Sequence, residues 1–120
     1  MSVQSLVDDA TFEFTMGNPS GALEMLDQAV REDPASFAAW HAMAEIRFDR
    51  GDYDQALEAG TIAVGLKEDD VHIHTTLSRV WMELGNKEEA EKHGARARIL
   101  GWREQLRESP ESGASGNGVD

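Results

Sequence analysis

His41 and Glu45 stand four residues apart, the separation that aligns two side chains on one helix face, and His72 projects from a later helix toward the same side. Two imidazoles and a carboxylate make a facial set able to hold a divalent transition metal. The set lacks the ligand spacing of an established metal motif, so the competing reading is a group of polar residues, with Glu45 paired to Arg79 across adjacent helices. That second reading is the expectation, with no metal and no other cofactor. His74 reads as the replacement for a core aromatic, and His93 lies on a later helix.

The remaining chemistry is narrowed by what the 120 residues lack. Cysteine is absent, which excludes disulfides, thiolate metal sites and cysteine nucleophiles. No serine occupies a nucleophile-elbow context, and no glycine-rich loop precedes a helix as a phosphate site requires. Asp8-Asp9 and Glu68-Asp69-Asp70 read as helix-start acids that complement the helix dipole rather than as paired catalytic carboxylates. The chain is therefore not expected to be an enzyme.

The elements that position these residues recur. Gly17, Gly51 and Gly85 are spaced by 34 residues, as are Ala22, Ala56 and Ala90; Ala29, Ala63 and Ala97; and Ala10, Ala44 and Ser78. Such a period marks stacked supersecondary units, here 3–36, 37–70 and 71–104 with no insertion or deletion. Each unit reads as two helices. Trp40, Met43, Ala44, Arg47 and Phe48 recur at helical spacing in the first helix of repeat two, and Tyr53, Ala56, Leu57, Ala63, Val64 and Leu66 in its second. Asn18, Asp52 and Asn86 occupy one N-cap column, with Gln55 completing a capping box and Pro19 at a first helical position. Pro34 ends the second helix of repeat one, where later repeats have Glu68 and Trp102. Gly60, Gly65 and Gly94 fall inside second helices, either at close contacts or as tolerated weak points. Residues about 101–108, with Trp102 and Leu106 among charges, read as a short amphipathic capping helix. Residues 109–120, polar and glycine-rich, read as a disordered tail.

The net charge is −12, unevenly spread: repeat one carries −6, repeat two −5, repeat three +1, and residues 105–120 −2. That field repels phosphate backbones, so nucleic acid is not an expected partner, although Lys92, Arg96, Arg98, Arg103 and Arg107 form a local basic strip. The first residues have neither a basic start nor a long apolar run, and no stretch approaches the roughly 18 apolar residues of a membrane span. A cytoplasmic location without membrane association is the expectation.

These columns resemble the tetratricopeptide repeat, a helix–turn–helix unit of this period, over about residues 3–104. The likeness is fullest in repeat two, in Trp40, Met43, Ala44, Gly51, Tyr53, Ala56 and Ala63. Leu6 and His74 depart from it at the column of Trp40. Leu26, Gly60 and Gly94 replace the family's large aromatic late in the second helix, which implies looser packing between second helices. The resemblance implies an all-α, right-handed α-solenoid of three helix-turn-helix repeats, its first helices lining a concave groove.

On that mapping Gln4, Val7, Thr11, Phe14 and Thr15 reach the groove from repeat one. Ala38, His41, Glu45, Phe48 and Asp49 follow from repeat two, and His72, Thr75, Arg79, Met82 and Glu83 from repeat three. Phe14, Phe48 and Met82 share one column, an apolar stripe suited to an extended peptide or amphipathic helix, or else a set of partly buried core residues. The chaperone-binding members of the family grip a C-terminal carboxylate with lysines, asparagines and an arginine. The matching positions here are Val7, Thr11, Ala42, His72 and Thr76, none of which supplies such a donor. The expected function is therefore a non-catalytic interaction module or adaptor whose protein or peptide partner is neutral or basic, with Glu45, Asp49 and Glu83 as acidic contacts. The alternative is a homo-oligomeric scaffold in which Val3, Leu6 and Phe12 of the uncovered first helix meet another copy and the basic end meets an acidic repeat one. A metal-binding groove at His41, Glu45 and His72 ranks below both.

Overall fold

A glycine in left-handed backbone closes the inner turn of each helix pair. Gly17, Gly51 and Gly85 have φ of 90°, 84° and 85°, a region open to glycine and strained for any residue with a Cβ. The amides of Gly17, Gly51 and Gly85 donate to the carbonyls of Phe14, Phe48 and Met82, and the next amides reach back to Glu13, Arg47 and Trp81. Together they satisfy the last carbonyls of each first helix. The computed structural model describes residues 2–108 as six helices: α1 (Val3–Thr15), α2 (Pro19–Glu32), α3 (Phe37–Asp49), α4 (Tyr53–Leu66), α5 (Val71–Glu83) and α6 (Lys87–Glu108). The tail expected over 109–120 lies outside the described residues.

Side-chain caps start most of these helices, at the expected Asn18 and Asn86 and at three further positions. The side chains of Ser2, Asn18, Ser36 and Asp70 accept from the amides of Ser5, Gly21, Ala39 and Ile73. Asn86 accepts from Glu89 in the same way, and Pro19 sits at the first position of α2. The Asp52–Gln55 capping box does not form. Arg50 and Arg47 draw the Asp52 carboxylate to 3.4 and 3.8 Å, and Arg47 donates to Gln55 Oε1 at 3.3 Å, so both capping groups are engaged elsewhere. Asp8 and Asp9 are also not helix-start acids: they lie in the interior of α1, where Asp8 accepts from Gln4 Nε2 at 3.0 Å. Nor are residues about 101–108 a separate capping helix. They continue α6, and Glu104 stands where Ser36 and Asp70 cap a following helix.

Consecutive helices pack as hairpins, α1 on α2, α3 on α4 and α5 on α6, and the hairpins nest through α2 on α3 and α4 on α5. First helices also adjoin one another, α1 with α3 and α3 with α5, whereas α2, α4 and α6 have no mutual contact. Helices that close up on one side and splay on the other give a curved stack, an α-solenoid with α1, α3 and α5 on its inner side.

The recurring small residues are the axles of the stack. Ala10, Ala44, Ala22, Ala56, Ala90, Ala29 and Ala63 are fully buried, which lets helix backbones approach closely. Ser78, the polar member of its column, donates its hydroxyl to the Ala90 carbonyl at 2.7 Å. The glycines inside the second helices at 60, 65 and 94 differ in kind. A Cβ on Gly60 would stand 2.7 Å from Leu77 Cδ2, and one on Gly94 3.3 Å from Ser78 Oγ, so both are close contacts, while Gly65 faces open space. No helix among the described residues is long and apolar enough to cross a membrane.

Candidate functional site

Residues from all three first helices meet on the inner side around a hollow of about 180 Å3: Phe14 from α1, Glu45, Phe48 and Asp49 from α3, and Thr76 and Arg79 from α5. Helical spacing explains the convergence, since Phe48 and Asp49 stand three and four residues after Glu45 and flank it on one face. Phe48 is the centre of that face. Its ring lies 5.5 Å from the Tyr53 ring, and the Arg79 guanidinium lies 4.5 Å from its centroid, a cation–π contact between neighbouring repeats.

Glu45 sits in a polar relay beside this apolar floor. His41 Nε2 donates to Glu45 Oε2 at 3.1 Å, and Thr76 Oγ1 divides its one hydroxyl proton between that carboxylate at 3.3 Å and the His72 carbonyl at 3.0 Å. The hydrogen bond from His41 holds the Glu45 carboxyl below its usual range against the opposing effect of burial, helped by the His41 charge, the Thr76 hydroxyl and the Arg79 charge. The hollow therefore keeps a fixed anion next to an aromatic face already covered by one cation.

The sequence-derived groove residues divide. Phe14, Glu45, Phe48, Asp49 and Arg79 line the hollow, and His41 stands behind Glu45. Val7 does not reach the groove: it is buried in the core with Leu6 and Ala10, because its side of α1 faces the other helices of the stack. Thr11 is exposed, with its hydroxyl turned back onto the Val7 carbonyl. His72, Met82 and Glu83 are exposed on or beside α5 but outside the hollow, so the apolar column ends with a 52% exposed Met82 rather than continuing as a covered floor. Arg79 takes the face of Phe48 instead of pairing with Glu45. Among the described residues no three His, Asp or Glu side chains stand close enough to share one ion, so His72 does not join His41 and Glu45.

One feature escaped the sequence reading. His74 is buried and donates from Nε2 to the Glu68 carbonyl at 2.8 Å, while its Nδ1 lies 3.0 Å from His93 Nδ1 with the rings stacked. A carbonyl only accepts, so Nε2 of His74 carries the proton and, in the neutral pair, His93 Nδ1–H donates to His74 Nδ1. The signal was available: one period earlier, Trp40 Nε1 donates to the Pro34 carbonyl at 2.8 Å, and 40 and 74 share a column, as do 34 and 68. His74 thus does replace an aromatic, down to its hydrogen bond.

Comparison with known proteins places these observations among solved repeats. Two family models described as tetratricopeptide repeat match residues 13–59 and 41–104, the second alone spanning more than half of the chain. No curated protein sequence matches. Among solved structures, MamA superposes with a TM-score of 0.81 at 16% identity, over 87% of this chain and 61% of that one. The second tetratricopeptide domain of Spaghetti (RPAP3), bound to the HSP90 peptide SRMEEVD, also gives 0.81, at 19% identity over 83% of this chain and 93% of that one. A second MamA structure gives 0.77 at 15% identity, over 92% and 57%. The chain therefore spans less than two thirds of these two MamA chains, and at these identities the likeness is one of fold.

Proposed function

The chain belongs to the tetratricopeptide repeat family of protein-interaction modules, and from that premise we propose that the inner face of α1, α3 and α5 captures an extended or helical segment of a protein partner. The observation that carries this reading is the hollow shared by Phe14, Glu45, Phe48, Asp49, Thr76 and Arg79, which joins an apolar floor to fixed acids across three repeats. An apolar side chain of the partner would seat on Phe14 and Phe48, and a neutral donor or cation would meet Glu45 and Asp49. A strongly acidic tail such as SRMEEVD would meet Glu45 and Asp49 as like charges, with Arg79 already committed to Phe48. The partner is thus neutral or basic, and the module itself non-catalytic.

Arrayed peptides differing in charge test the reading directly. Basic amphipathic peptides are expected to bind, and Phe48→Ala should weaken them by about tenfold or more with helical circular dichroism unchanged. Equal binding of acidic and basic peptides would remove the charge argument. Loss of helicity along with binding would assign Phe48 to the core instead.

A further inference from the structure

The two ends of the stack carry complementary faces. In the column of Phe12 the later repeats have Ile46 and Val80, both buried, with Ile46 inside a cluster that includes Leu23, Leu26 and Ala29 of the preceding hairpin. Phe12 is 61% exposed. The same inversion occurs at Ser5, which precedes Ala39 and Ile73, and at Asp9, which precedes Met43 and Leu77: buried apolar residues in α3 and α5, exposed polar ones in α1. A surface that repeats use for stacking is thereby left on α1 as an aromatic anchor, with Met16 one turn on. At about 100° per residue, Asp8 flanks this stripe on one side and Asp9 and Glu13 on the other, with no base in α1.

At the opposite end α6 runs past its hairpin, and Ile99, Trp102 and Leu106 form an exposed stripe on it, Trp102 at 63%. Helical phase puts Arg98 on one border and Arg103 and Arg107 on the other, while Glu104 and Glu108 fall on the far side of the helix. One end is therefore apolar with an acidic rim and the other apolar with a basic rim.

We propose that the exposed end of α6 in one copy docks on the outer face of α1 in a second copy, Trp102 against Phe12 and Met16, with Arg103 and Arg107 facing Asp9 and Glu13. Both the apolar stripes and the rim charges match across this pairing. Two α1 ends would set acid against acid, and two α6 ends base against base, so the contact is heterologous and leaves each copy one unused end. Assembly then grows head to tail, into a chain or a ring. The groove takes no part, so failure of the peptide-binding reading leaves this one standing.

Sedimentation velocity on the full 120-residue chain, with helicity checked by circular dichroism, tests it by complementation. Wild type should form concentration-dependent species beyond a dimer. Phe12→Asp and Trp102→Asp, each alone, should be folded monomers. Mixed one to one they should give a dimer and nothing larger, because each retains the end the other has lost. Arg103→Glu with Arg107→Glu should weaken assembly by about tenfold or more. A wild type that stays monomeric at all concentrations, a single variant that still assembles, or a mixture that stays monomeric would each overturn the proposal. If Phe12→Asp proves unfolded, Phe12→Ser and Asp9→Lys carry the same test with milder changes.

Discussion

The junction between repeats one and two and that between repeats two and three solve one packing problem with different residues. In the first, Pro34 turns the chain and the Trp40 indole donates to its carbonyl, while Leu26 of α2 is fully buried. In the second, Glu68 replaces proline, the His74 imidazole makes the equivalent bond, and Gly60 stands where Leu26 stood, admitting Leu77 Cδ2 against the α4 backbone. What the column requires is a flat ring with an N–H directed at the turn, plus one large aliphatic group that either hairpin can supply. The tryptophan version is indifferent to pH. The histidine version brings a titratable group and a second histidine into the interior.

Making the second junction resemble the first should be the most damaging change. In Gly60→Leu even the Cβ would meet Leu77 Cδ2 at 2.7 Å, so α4 and α5 must separate, at a cost of about 3 kcal/mol in urea unfolding. Gly60→Ala should cost less, about 1 kcal/mol, because Leu77 can turn part of its side chain aside. Gly65→Ala, which meets nothing within 4 Å, should stabilise by up to about 1 kcal/mol through helix propensity. Equal effects at Gly60 and Gly65 would mean that the Leu77 contact does not govern the junction.

The histidine pair offers a subtler test. Burial holds the His93 pKa below its ordinary value of 6.5, the His74 charge and Lys92 lower it further, and Glu89 opposes them. A base with a depressed folded pKa binds more protons unfolded, so its contribution is complete above pH 6.5 and is lost as pH falls toward the folded value. Thermal midpoints should therefore drop below pH 6.5, and His93→Gln should flatten that part of the curve. Glu45, also held below its ordinary value of 4.5, adds a separate loss only at lower pH, with the carboxyl becoming protonated. A His93→Gln curve that keeps the wild-type slope between pH 5 and 6.5 would assign the dependence to other groups.

How much of this was legible depended on whether a residue's role is set within its own repeat. Gly17, Gly51 and Gly85, the alanine columns and the caps Asn18 and Asn86 are fixed by local backbone needs, so period and residue type sufficed to read them. The groove was legible in part: Phe14, Phe48, Glu45 and Arg79 converge because all first helices present the same face. Val7 was misread because period gives a column but not which way it turns, and burial at that column differs among repeats: Val7 is buried and Thr75 exposed. The Arg79–Phe48 contact and the His74–His93 pair depend on how neighbouring hairpins nest, a distance that no intrarepeat spacing encodes.

The smallest contrast lies at the inner turns of the same two repeats. Asn18 accepts the Gly21 amide at 3.1 Å and also donates to Glu13 Oε1 at 2.8 Å, so Asn18→Ala leaves a helix amide without its partner and should cost about 1 kcal/mol. Asp52 occupies the same column but makes no cap bond. Its carboxylate instead bridges Arg47 and Arg50, both partly solvent-exposed, so Asp52→Ala should cost about 0.5 kcal/mol and less as salt is raised. Asp52→Asn then sharpens the comparison. Neutralising the side chain releases the two arginines and frees an amide oxygen to turn toward α4, converting the second turn to the design of the first. Urea unfolding should find Asp52→Asn at or slightly above wild type while Asp52→Ala falls below it. If both variants lose the same stability, the ion pairs, and not the competition between arginine and helix amide for one carboxylate, account for what Asp52 contributes.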